Sequence, residues 1–322
     1  MKYSNTLHGY WFLGITVTLL AINYLIIPVA GTYANLICLF LILTVGISHG
    51  SLDNLKGNKI LKFYKIKNKV IFYLAYITLA LLFTILWLLA PSLTLVIFLI
   101  IAAYHFGKED CQLIDWTETH WKNLSEQTAK YKKFNSIFYL LKGSIIIIAP
   151  LCFHFEETLN IFKILFIDNS DFLKTLTYFD EKWIFAYALL IIFFMNIFFF
   201  TEALSIVLLN FFLSPLVAFT IYFCFLHSIR HSASLIKEIE INILKKKYKK
   251  QHFDISIKGI KIFFKKALPL TAVTAILFLF SVYILTNYYV LDEAILKVIF
   301  IGLASLTFPH ILLEYLIEKN EK

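Results

Sequence analysis

Nine stretches of this 322-residue chain are apolar runs on the scale of a bilayer: about 10–29, 33–50, 70–90, 92–107, 136–153, 183–200, 203–227, 267–287 and 294–317. A hydrocarbon core about 30 Å thick takes about 20 helical residues to cross. Backbone polar groups inside it must be satisfied within the segment, so a lone apolar run crosses as an α-helix. The expected architecture is an all-α polytopic membrane helix bundle. Hydrophobic residues make up 60% of the chain, against about 45–50% in soluble domains. No stretch reads as a separate soluble unit, so residues 1–322 are taken as a single integral membrane domain, multi-pass in the cell (inner or plasma) membrane. The run from Tyr10 to Val29 after Lys2 is long for a signal-peptide core and reads as an uncleaved first span.

Loop charge sets the expected topology. Residues 51–69 carry six lysines, 108–135 carry five, and 229–266 carry eleven Lys or Arg, including Lys245, Lys246, Lys247, Lys249 and Lys250. Residues 154–182 carry three lysines against six acids. The first three stretches therefore belong in the cytoplasm and the last outside. Three crossings between 135 and 229 would put the most basic loop on the wrong side, so an even number is required there. The expectation is eight to ten spans, an even count, with both termini cytoplasmic. The open point is 154–180, which contains Ile161, Phe162, Ile164, Leu165, Phe166 and Ile167: either it crosses, or one nominal span does not.

Charge and cysteine content exclude some classes. A net charge of +9 suits cytoplasmic loops against anionic lipid, so no nucleic-acid partner is expected. Cys38, Cys111, Cys152 and Cys224 are far apart and form no Cys-x-x-Cys pair, which supports neither a disulfide framework nor a thiolate metal site.

Five of nine histidines stand where apolar segments end: His49 in Ser-His-Gly-Ser-Leu-Asp, His105 in Tyr-His-Phe-Gly-Lys-Glu-Asp, His227 and His231 in His-Ser-Ile-Arg-His, and His310 in Pro-His-Ile-Leu-Leu-Glu. Polar side chains near hydrocarbon are costly and mark function, and imidazole is the commonest protein metal ligand. His227 and His231, four apart, share a helix face and can present two rings to one ion. Asp53, Glu109 and Glu314 each follow a histidine by four and are candidates to orient the rings, since a ligating imidazole usually donates its other N–H to a carboxylate. The histidines demand the same parity as the loop charges, on a metal site toward the cytoplasmic side. His8, His120, His154 and His252 sit beside charges in tails or loops and read as surface residues. All-imidazole ligation suits iron, copper or zinc. Four neutral imidazoles leave up to two positions open on six-coordinate Fe(2+), which suits dioxygen beside an apolar substrate. Tyr104, Phe106, Phe223, Phe225 and Phe308 adjoin the histidines and are candidates to line an apolar tunnel.

These motifs resemble the Brp/Blh family of bacterial and archaeal membrane proteins, the β-carotene 15,15'-dioxygenases, in the same order from about 40 to 315. The resemblance implies cleavage of β-carotene by O2 at its central double bond to give two molecules of all-trans-retinal. It implies one iron on His49, His105, His227 and His231. His310 is then expected behind these ligands or in the substrate pocket, with Asp53, Glu109, Glu314, Tyr104 and Phe106, the alternative for His310 being a fifth ligand. A retinal-binding opsin is the implied biological partner. The alternatives are another membrane iron oxygenase, such as a desaturase or hydroxylase of carotenoids or lipids, and a non-enzymatic haem-binding or transport protein. The former commonly uses about eight histidines in paired clusters, and this chain has one His-x-x-x-His pair.

Overall fold

Runs of Leu, Ile and Phe build long helices here; Pro91 and Pro215 start two of them, while Pro150, Pro269 and Pro309 lie inside others. A computed structural model describes residues 2–3, 5–25, 30–48, 50–112, 131–167, 197–242 and 253–321. In chain order the helices are α1 (Asn5–Leu25), α2 (Gly31–Thr44), α3 (Asp53–Phe63), α4 (Val70–Leu89), α5 (Pro91–Gln112), α6 (Tyr131–Phe153), α7 (Phe155–Ile164), α8 (Ile197–Phe212), α9 (Pro215–Ile221), α10 (Ile229–Asn242), α11 (Ile257–Leu285) and α12 (Leu291–Glu321). Short 3-10 turns over 46–48 and 50–52 join α2 to α3, and a π-helical turn, Tyr222–Ser228, joins α9 to α10. Otherwise the described chain holds a two-residue ribbon, in which β1 (Lys2–Tyr3) pairs antiparallel with β2 (Phe253–Asp254).

Six helical stretches among the described residues are long and apolar enough to cross a membrane: Gly31–Phe63 taken through its 3-10 turns, Val70–Leu89, Pro91–Cys111, Ser136–Phe153, Ile257–Leu285 and Leu291–Asn320. Their outer faces are apolar. On α4 only Phe83 and Trp87 are buried, while Leu74, Ile77, Leu81 and Ile85 are exposed. An exposed apolar surface of this extent suits lipid. The inner faces of α2, α8, α9 and α12 meet in one core around Ile42, Leu209, Ala218 and Ile295.

Several expected spans change shape. The expected crossing at 203–227 is not one helix: α8 stops at Phe212 and a new helix begins at Pro215. Proline lacks an amide hydrogen and disfavours helical backbone in the residue before it, so hydropathy continues where the helix cannot. The expected link near 200–203 lies inside α8. Of the expected span 183–200, residues 183–196 lie outside the described residues. Within 154–180, residues 155–164 form a ten-residue helix, about 15 Å long and so about half of a crossing. After it the chain turns into the bundle: Leu165 and Ile167 are buried, and Trp87 Nε1 donates to the Leu165 carbonyl at 3.0 Å. Residues 168–180 lie outside the described residues.

The closest helix pair positions the site. A Cβ added at Gly107 of α5 would lie 1.8 Å from the Tyr139 carbonyl oxygen of α6, and one at Gly143 would lie 1.8 Å from the Ala103 carbonyl oxygen. Backbone meets backbone there, as small residues permit in membrane bundles, and α5 carries His105, Glu109 and Asp110 into the interior. Gly143→Val is expected to force the two helices apart, with overpacking costing about 1–3 kcal/mol or more. A lower melting temperature and a smaller monodisperse fraction in detergent, read by fluorescence-detected size exclusion, check this.

Candidate metal centre

Four helices and the π turn bring buried titratable groups to one end of the bundle. His105, Glu109 and Asp110 occupy the last turns of α5. His227 closes the π turn and His231 lies in the first turn of α10. Asp53 and Lys56 start α3, and His310 and Glu314 project from α12. His105, His227, His231 and His310 are at most 5% exposed. A π turn is rare and is found mostly at functional sites. Here it seats the His227 ring against Phe223, 5.8 Å between centroids, while Ser228 Oγ donates to the Gly46 carbonyl at 3.0 Å.

Carboxylates grip three of the rings through Nδ1. His227 Nδ1 lies 3.0 Å from Asp110 Oδ1, His231 Nδ1 lies 2.8 Å from Glu109 Oε2, and His310 Nδ1 lies 2.9 and 2.8 Å from the two oxygens of Asp53. An ionised carboxylate only accepts, so a neutral ring paired with one in this way carries its proton on Nδ1 and keeps the lone pair on Nε2. The Nε2 atoms of these rings and of His105 are all buried. The rings themselves are neighbours: the His105 centroid lies 5.5 Å from that of His227 and 5.3 Å from that of His310, and His231 lies 5.6 Å from His310. Ligand-capable atoms of His105, His310 and Glu314 fall within 4.8 Å of one another, as do those of Glu109, His231 and Glu314. Lone-pair imidazoles oriented by acids are the donor set of a divalent transition metal, so the residues fit the ion that the sequence implied.

The predicted acids are all here, Asp53 and Glu109 on rings of other helices and Glu314 beside His310 but on its Nε2 edge. Along one helix, residues four apart share a face, which suggested that Asp53 serves His49, Glu109 serves His105 and Glu314 serves His310 from behind. Instead Asp53 crosses to His310 and Glu109 crosses to His231. Glu314 Oε1 faces the Nε2 edges of His310, at 3.7 Å, and His231, at 3.8 Å. His49 lies outside the described residues. Next to it, a Cβ at Gly50 would lie 3.9 Å from Asp53 Oδ2 and 4.0 Å from His310 Nδ1.

Further expectations change. Tyr104 does not line the site: it lies on the outer face of α5, 38% exposed, with its ring 6.1 Å from Tyr139. Consecutive helical residues point about 100° apart, and His105 takes the inward direction. Phe106 is buried, with its ring 4.8 Å from His227. Phe308 instead stacks on Phe83 at 5.2 Å. His8, expected at the surface, is buried: its ring lies 5.6 Å from Trp11, and its Nδ1 accepts from Arg230 Nε at 3.4 Å. His154 is half-buried beside Glu157, at 3.5 Å. His120 and His252 lie outside the described residues.

Sequence reasoning missed the groups behind these acids. Tyr222 Oη donates to Asp110 Oδ2 at 2.9 Å, and Tyr76 Oη donates to Asp53 Oδ2 at 2.9 Å. Arg230 donates to the Asp110 carbonyl at 2.7 Å and clasps Glu202, with NH2 2.7 Å from Oε1 and NH1 3.2 Å from Oε2. Lys142 Nζ lies 3.0 Å from Glu202 Oε2. Two acids and two bases thus balance behind His227, where removing one partner of a buried pair costs about 3–5 kcal/mol. Arg230 inside His-x-x-x-His, and Glu202 and Lys142 inside apolar runs, were the available signals.

A cavity of about 220 Å³ borders the centre at His310, Asp53 and Tyr76. Its other wall includes Tyr73 and Ile77 of α4 and Val273 and Leu277 of α11, all exposed on the outer face. It therefore opens sideways between two lipid-facing helices.

Residues 40–318 match the protein family described as β-carotene 15,15'-dioxygenase. The chain belongs to that family. The match coincides with the stretch over which the motifs carry the resemblance, and it contains His49, His105, His227, His231 and His310 while leaving out His8. The chain is also similar to the β-carotene 15,15'-dioxygenase of Uncultured marine bacterium 66A03, 27% identical over 282 residues, which covers 85% of this chain and 90% of that protein. No solved structure matches it. Membership in the β-carotene 15,15'-dioxygenase family makes this protein an enzyme, an oxygenase of the carotenoid-cleaving class.

If Asp110 fixes the His227 tautomer, Asp110→Asn should weaken divalent-metal binding about 10–100-fold, the usual effect of losing an orienting partner. Tyr104→Phe, on the outer face, should leave it unchanged. Equilibrium dialysis of the purified protein against Co(II) measures both.

Proposed function

We propose that this chain cleaves the central 15,15' double bond of β-carotene with O2 to give two molecules of all-trans-retinal, using one Fe(2+) held by His49, His105, His227 and His231. The observation that carries the reading is a set of buried imidazoles whose neighbouring rings lie 5.3–5.6 Å apart, three of them held by carboxylates, beside a cavity that opens to the lipid-facing surface. A membrane-dissolved polyene reaches such a site sideways without passing through water. Gly50, beside His310 and Asp53, brings the His49 segment to the same place. Iron(II), when bound, supplies the electrons that make dioxygen reactive toward a carbon–carbon double bond.

The residues do the rest by placement and by excluding water. Asp110, Glu109 and Asp53 hold the rings in one tautomer and direction. Tyr222 and Tyr76 hold the acids in turn, so that ring position is set two groups deep. Phe106 and Phe223 put aromatic faces next to His227, where they can lie against a conjugated chain. Cleavage replaces one C=C and one O=O bond by two C=O bonds, so the reaction needs no outside reductant and no net proton. That balance agrees with a dry, apolar approach to the centre.

We also place the centre toward the cytoplasmic side, with both termini cytoplasmic in eight to ten spans of one integral membrane domain, in the cell membrane. Supporting this, the ribbon ties Lys2 and Tyr3 to Phe253 and Asp254, next to the most basic stretch, and the lysine-rich α3 starts at the centre itself. The product suits a retinal-binding opsin in the same membrane.

Expression in β-carotene-producing cells tests the activity: colour loss with retinal in the extract supports it, and unchanged carotene around folded, iron-loaded protein refutes it. One iron per chain is expected by elemental analysis, where two would indicate a desaturase-type centre. His227→Ala and His231→Ala should each lose iron and activity together.

A further inference from the structure

Four carboxylates surround the imidazoles, and one differs from the others in where it stands. Asp53, Glu109 and Asp110 each hold an Nδ1 within 2.8–3.0 Å, behind the ring. Glu314 stands in front: its Oε1 lies 3.7 Å from His310 Nε2 and 3.8 Å from His231 Nε2, and its Oε2 lies 3.7 Å from His105 Nδ1. Those distances are too long for hydrogen bonds. They come within a few tenths of an ångström of the spacing between two ligand atoms on one ion, since metal–ligand bonds of about 2.0–2.2 Å put neighbouring donors about 3.0–3.6 Å apart. Glu314 is also the residue shared by the two sets of three ligand-capable groups at the centre.

One of its partners is a cation. Lys56 Nζ reaches in from the first turn of α3 and lies 2.5 Å from Glu314 Oε1, the same oxygen that faces the two Nε2 edges. A divalent ion held only by neutral imidazoles keeps both charges uncompensated in a low-dielectric interior, which is costly. An inward carboxylate offsets one of them, and an ammonium on that carboxylate takes the same attraction for itself.

From this placement we propose that Glu314 is a metal-facing carboxylate of the centre, and that Lys56 competes with the divalent cation for it. The proposal deepens the metal reading above and rests on it. It adds an anionic group facing the ring nitrogens of His105, His231 and His310 and gives opposite roles to two residues that pair in the structure. Lys56 sets how tightly the ion is held, and Glu314 sets whether the site carries a matching charge.

The test is Co(II) titration of purified full-length protein in detergent, following the visible absorption of the bound ion and the dissociation constant by calorimetry. Glu314→Gln is expected to weaken Co(II) at least tenfold and to change the visible spectrum. Lys56→Met is expected to tighten it several-fold. General damage to the fold weakens binding in both variants, so the opposite signs separate a ligand and its competitor from a structural pair. Glu314→Asp keeps the charge and moves the oxygen, so a shifted spectrum with affinity between wild type and Glu314→Gln supports the assignment even if the amide variant does not fold. An unchanged affinity and spectrum in Glu314→Gln, with carotene cleavage intact, overturns this proposal and leaves the function standing. Weaker binding in Lys56→Met overturns the competition. Wild-type protein that binds no Co(II) overturns the metal reading and this proposal together.

Discussion

The grip of carboxylates on imidazole nitrogens is the interaction on which the rest of this structure depends. Each pair joins different helices: Asp53 of α3 to His310 of α12, Glu109 of α5 to His231 of α10, and Asp110 of α5 to His227 at the end of the π turn. Polar contacts between helices in a membrane are worth about 0.6–2 kcal/mol each, while a buried charge left without its partner costs about 3–5 kcal/mol. The larger number decides their role. Such pairs contribute little net stability, but they exclude every helix register that separates them. The contacts that orient the rings are therefore the contacts that align the helices.

Support for this alignment comes from opposite physical extremes. Between α5 and α6, Gly107 and Gly143 bring backbone against backbone. Behind His227, charge is dense and balanced, with Arg230 tied to Glu202 and to the Asp110 carbonyl, and Lys142 closing the group. On the Asp53 and Tyr76 side of His310 lies the apolar cavity between α4 and α11. The centre thus has a rigid polar flank behind His227 and an apolar opening beside His310.

Much of this was legible in the residues. Long apolar runs implied the helices, and imidazoles at their ends implied a shared site, because both follow from the cost of polar groups in hydrocarbon. The acids Asp53, Glu109 and Glu314 were recognisable by their spacing. The partners of Asp53 and Glu109 were not, because an i,i+4 rule describes one helix and each of these two acids holds a ring from another; Glu314 does stand beside His310, four residues before it. Asp110 was passed over for Glu109, although the two adjacent acids serve two histidines one turn apart. Tyr104 and Phe106 flank His105 equally in sequence and point to different sides. His8 looked like a tail residue until α1 packed it against Arg230.

By itself the sequence determined that the chain is a helical membrane protein, that its histidines gather in a few motifs, and that those motifs belong to one family. These are matters of composition, run length and local spacing, which a linear chain carries in full. Only the tertiary structure decided which acid holds which ring, that α8 and α9 part at Pro215, and that Glu314 faces inward with Lys56 upon it. Those outcomes depend on how separate helices dock and rotate against one another, and side-chain direction across an interface is written in no single segment.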